Sequence, residues 1–136
     1  MGKDKTNPTW GESMSLVEEF YNVDVPSPPL EVLIVNFTDT RNKNGPKHML
    51  IKNTGTGTVI MRYYYADRGL VFPVQKSVDT DIENIVAPGA SVHIILEGSQ
   101  HVEMIKLTAI LSAVGDPGII SGKLIAPAPI GSTDTG

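Results

Sequence analysis

Residues 82–111 read IENIVAPGASVHIILEGSQHVEMIKLTAIL, three apolar runs parted by Pro88-Gly89 and by Gly98-Ser99. Proline presets φ and glycine accepts positive φ, so such clusters between apolar runs reverse a chain. The spacing predicts strands over 82–86, 91–96 and 101–111, folded as an antiparallel meander. In the last of them Ile105, Leu107, Ala109 and Leu111 alternate with Lys106 and Thr108, giving one apolar face and one polar face. A sheet with a single apolar face needs a second layer to cover it.

The rest of the chain fits that demand. Residues 30–38 form an apolar strand, with Leu33, Val35 and Phe37 on one face and Val32 and Ile34 on the other. The strand at 47–53 and the one at 58–65 flank Thr54-Gly55-Thr56-Gly57, which reads as a hairpin. In the second arm Val59, Met61, Tyr63 and Tyr65 form the core face. Pro73 cannot donate to a ladder, which assigns 70–75 to an edge or a bulge. After the turn at Gly115-Asp116-Pro117-Gly118, residues 119–125 make the final strand. Short strands at intervals of roughly 8 to 14 residues define an all-β fold, an antiparallel β-sandwich of immunoglobulin-like or jelly-roll-like type with about seven to eight strands. Neither the cysteine pair nor the core tryptophan of an immunoglobulin domain is present, so only the architecture follows.

The first 29 residues differ in being polar and proline-containing, and they read as an extended N-terminal arm. Ser15 followed by Glu18 is a capping-box signature that predicts one short helix through Tyr21. Leu16, Val17, Phe20 and Tyr21 would form its apolar stripe, and Trp10 lies just upstream. This arm is expected either to cover an end of its own sandwich or to reach a neighbouring subunit. The expected organisation is therefore arm 1–29, sandwich 30–125 and a proline-rich tail 126–136.

Composition narrows the function classes. A chain of 136 residues can bury a core as one domain without staples. With no cysteine there are no disulfides, thiolate metal sites or cysteine nucleophiles. Eleven basic and fifteen acidic residues give a net charge of -4, a field that repels nucleic acid and anionic membranes. Neither is expected as a partner.

Catalytic patterns are weak. His48, His93 and His101 show no metal-ligand spacing, and no cofactor or metal is expected. No G-x-S-x-G elbow and no phosphate-cradling loop occurs. Asp79, Asp81 and Glu83 alternate, so on a strand they would line one face as a solvated acidic edge. Tyr64, outward beside Arg62, offers an aromatic platform for a sugar, although such runs more often serve strand packing. No catalytic residue is assigned, and the chain is expected to be no enzyme.

The patterns KHMLIKNTGTGTVIMRYYY at 47–65 and VAPGASVHIILEGSQHVEMIKLTAIL at 86–111 resemble those of small β-sandwich virion structural proteins of tailed bacteriophages, namely capsid decoration or cement proteins and tail adaptors. The resemblance spans about residues 30–125 and is architectural. It implies a non-enzymatic virion protein that binds and stabilises the head lattice as a homo-oligomer contacting the major capsid protein in a particle assembled in host cytoplasm. Partner contacts are expected at Trp10, Leu16, Val17, Phe20, Tyr21, Arg62 and Tyr64. The alternatives are a tail, baseplate or adaptor protein, and a carbohydrate-binding or adhesion module using Tyr64 and Arg62.

Overall fold

The computed structural model describes residues 14–37, 46–67, 72–97 and 102–127. Trp10, His101, most of the 39–46 loop and the tail from residue 128 onward lie outside the described residues, as does the side chain of Val17.

The strands are β1 (Met14–Val25), β2 (Val32–Phe37), β3 (Lys47–Asn53), β4 (Val59–Asp67), β5 (Val74–Gln75), β6 (Ile85–Val86), β7 (Ser91–Leu96), β8 (Val102–Leu111) and β9 (Gly118–Pro127). They form a four-stranded sheet in the order β1-β9-β3-β7 and a five-stranded sheet in the order β2-β8-β4-β5, with β6 also paired to β4. Every pairing is antiparallel. The expected all-β sandwich is present, and its winding is that of a jelly roll. The chain passes between the sheets at six of its eight connections, the exceptions being β4 to β5 and β5 to β6, and the inner face of each sheet is covered by the other.

Inner faces meet in one core. Met49 and Ile51 of β3, Val59 and Met61 of β4, Leu107 and Ala109 of β8, and Ile120 and Leu124 of β9 are all buried. The inward set expected for β8 is buried throughout, and Tyr63 and Tyr65 pack at the core margin beyond Val59 and Met61.

Two expected pairings are corrected. Residues 82–111 are not a meander: Ile82–Asn84 is a 3-10 turn, β6 joins β4, β7 joins β3, and β8 lies between β2 and β4. Nor do β3 and β4 form a hairpin, since they belong to opposite sheets. Turn residues reverse the chain in either case, and both arrangements bury the same apolar faces.

Asn53 holds the β3–β4 corner. Fully buried, it donates from Nδ2 to the carbonyls of Gly57 (2.7 Å) and Val86 (3.0 Å). Its Oδ1 accepts from the amides of Gly55 (2.9 Å) and Ile119 (3.3 Å). Its backbone amide donates to Ala90 and its carbonyl accepts from Gly89. Gly89 has φ 76°, and Ala90 donates to Ala87, so Pro88-Gly89 makes the tight turn expected of it.

The helix expected at residues 15–21 is instead part of a strand, a further correction. β1 carries register shifts between Leu16 and Glu18 and between Phe20 and Val23. Each inserts one extra residue and reverses which residues face inward. Leu16 and Tyr21 are therefore exposed while Phe20 and Val25 are buried. Asn22, with φ 50°, occupies the second bulge, and its amide donates to Ser121 Oγ at 2.8 Å. A bulge at Ile34 acts likewise in β2: Leu33 is exposed instead of sharing the face of Val35 and Phe37.

Candidate functional site

The outer face of the four-stranded sheet is a grid set by strand register. One row carries Leu16, Ile125, His48 and Ile95, and the next carries Glu19, Lys123, Leu50 and His93. A third holds Ser121, Lys52 and Ser91. Leu16, Ile95 and Tyr21 are about half exposed or more, at 55%, 49% and 68%. A groove of about 540 Å³ crosses this face, lined among others by Glu19, Tyr21, Leu50, Lys52, His93 and Lys123. Gly122 lies at this groove with its bare side turned inward, where Phe20 takes the space: a Cβ on Gly122 would come 2.9 Å from Phe20 Cζ and 2.2 Å from the Leu50 carbonyl oxygen.

Across this grid His48 Nδ1 lies 2.9 Å from His93 Nε2, with ring centroids 5.1 Å apart. Burial, then the neighbouring His93, lowers the pKa of His48. Sequence spacing could not reveal this pair, because 45 residues separate its members and only the register of β3 against β7 joins them.

The outer face of the five-stranded sheet carries a polar network. Arg62 grips Asp79 at two points, Nε to Oδ1 at 3.0 Å and a terminal nitrogen to Oδ2 at 2.8 Å, and reaches Glu31 at 3.1 Å. Glu31 also accepts from Thr108 Oγ1 at 2.5 Å and from the Tyr64 hydroxyl. Lys106 Nζ sits 4.5 Å from the centre of the Tyr64 ring. Partial burial favours the neutral form of Glu31, but the hydrogen bonds from Thr108 and Tyr64 and the charge of Arg62 outweigh it, so its carboxyl lies below the ordinary range. The two-point bond from Arg62 likewise lowers Asp79. Burial, then Glu31, raises the Tyr64 phenol.

The expected contact residues do not converge. Leu16 and Tyr21 face outward on one sheet, Phe20 is in the core, and Arg62 and Tyr64 lie on the outer face of the other sheet. Tyr64 is tied to Glu31 by its hydroxyl and covered on one ring face by Lys106. The expected acidic edge is corrected too: Asp79 lies in a turn and pairs with Arg62, Asp81 caps the 3-10 turn, and Glu83 lies within it. Among the described residues no group of three or more His, Asp or Glu side chains is placed to hold a metal ion.

These two sheets, with their crossings at successive connections, define a jelly-roll sandwich, an architecture used by viral capsid proteins and lectins among others. Among solved structures the fold resembles a viral capsid protein, VP2 of infectious bursal disease virus in its subviral particle, with TM-score 0.51 and 13% identity over 89% of this chain and 33% of that one. The structure of the Gx strain of the same virus matches with TM-score 0.45 and 11% identity over 83% of this chain and 31% of that chain. The chain thus spans about a third of the length of the solved chains it matches. The likeness is one of fold, and it is not specific to tailed bacteriophages. No family model matches the chain. No curated protein matches it either.

Proposed function

We propose that this chain is a non-enzymatic structural protein of a virus particle, and that it acts as a decoration or cement protein on the capsid lattice. The observation that carries the reading is the jelly-roll fold, whose likeness to a viral capsid protein extends over 89% of this chain. The outer face of the four-stranded sheet supports the same reading. Leu16, Tyr21 and Ile95 present apolar surface there, bordered by Lys52, Lys123 and Glu19, the mixture of apolar centre and charged rim that protein contacts use. In this reading the chain self-associates and contacts the major capsid protein through that face, and many weak contacts across a lattice add up by avidity.

Particles purified from the source test it. Quantitative mass spectrometry is expected to find the chain at a fixed ratio to the major capsid protein, and cryo-electron microscopy to find it on the head shell. Density confined to the tail would replace decoration with an adaptor role. Absence from purified particles would end the virion reading.

A further inference from the structure

The pair on the outer face of the four-stranded sheet has a chemistry of its own. His48 and His93 stand diagonally across the β3 and β7 ladder, with His48 opposite Ile95 and Leu50 opposite His93. We propose that His48 Nδ1 and His93 Nε2 form a chelating site for a divalent transition metal of the copper or nickel type, completed by water.

The nitrogen separation suits a chelated ion. Imidazole nitrogens bind such ions at about 2.0–2.1 Å, so two nitrogens 2.9 Å apart subtend about 90° at the ion. That is the angle between neighbouring positions of a square-planar or tetragonal site, the preference of Cu²⁺ and Ni²⁺. Cu²⁺ also heads the affinity order for nitrogen ligands.

Two antiparallel strands fix both backbones, so little ordering is left for the ion to impose. His93 is exposed at the groove and His48 is half-buried, so water reaches the pair from the His93 side. Lys123 and Lys52 share this face and oppose a cation, whereas Glu19 favours one. The lowered pKa of His48 favours the neutral ring that a ligand must be. In the metal-free pair one bridging nitrogen carries a proton and donates it to the other. On binding, that proton moves through solvent to the second nitrogen of its own ring, and both lone pairs turn to the ion with no net proton release from neutral rings.

Copper titration of the full chain tests the site, with calorimetry for affinity and electron paramagnetic resonance for ligands. The wild type is expected to bind one Cu²⁺ with a two-imidazole signature above the background of the His48→Gln, His93→Gln double variant. Either single variant weakens that binding at least tenfold. Ni²⁺ is expected to broaden the ring resonances of His48 and His93 selectively in the unmodified protein, a readout that needs no variant to fold. Equal binding by wild type and double variant, or resonances of His48 and His93 untouched by Ni²⁺, would overturn the proposal.

Discussion

Asn53 shows how much of this fold a single side chain can hold. Four hydrogen bonds from its amide join the β3–β4 corner, β6 and the start of β9 in a place that excludes water. Asn53→Ala leaves those carbonyls and amides without partners and is expected to cost about 2–4 kcal/mol. Asn53→Asp sets a carboxylate oxygen against two carbonyls and is expected to cost at least as much. Urea unfolding midpoints check both, and a loss below about 1 kcal/mol for either would contradict the role. The Glu31 network makes a pH prediction. Its carboxyl is lowered in the folded chain, as is that of Asp79, so both stabilise the fold above the ordinary carboxylate range. That contribution is lost as pH falls through about 4 and toward the lowered values. Thermal unfolding between pH 7 and 3 is expected to fall less steeply for Glu31→Gln than for the parent, whose curve it should meet at the acid end.

At the scale of elements, β1 separates what sequence patterns carry from what they miss. Phe20→Ala opens the core over Gly122 and is expected to cost about 3 kcal/mol, whereas Leu16→Ser and Tyr21→Ser are expected to stay within about 0.5 kcal/mol of the parent. A helix with one apolar stripe would have made all three costly, so the contrast in unfolding free energies reports on the bulges. Strict alternation was readable wherever a strand ran unbroken, as in β8 from Ile105 to Leu111. It failed at Leu33 and between Leu16 and Val23, because an inserted residue reverses the faces without leaving a compositional mark. Turns were readable too: Gly89 has the positive φ its place in Pro88-Gly89 suggests. Which sheet the chain entered next was not, since β3 and β4 meet the same burial requirement as hairpin partners or as facing layers. The surface sites depended on that choice, and neither the His48 and His93 pair nor the clasp of Arg62 on Asp79 had a local signature.

For the whole molecule, the sandwich is a rigid plate with two unlike outer faces. The five-stranded sheet gathers its polar groups around Glu31, with Leu33 of β2 and Val74 of β5 exposed, while the four-stranded sheet exposes Leu16, Tyr21 and Ile95 around its groove. Removing residues 1–29 would be a poor test of partner binding, because it strips β1 from β9 and unroofs Phe20's place in the core. The double substitution Leu16→Asp, Tyr21→Asp alters the same face while leaving the sandwich buried surface in place. The central claim, that this open face docks the jelly roll onto a capsid lattice, is tested most directly by cosedimentation of the full chain with particles from the source that lack it. The account predicts saturable binding by the parent and at least tenfold weaker binding by the double variant with its unfolding midpoint preserved. Equal binding by the two, or no binding by the parent, would contradict it.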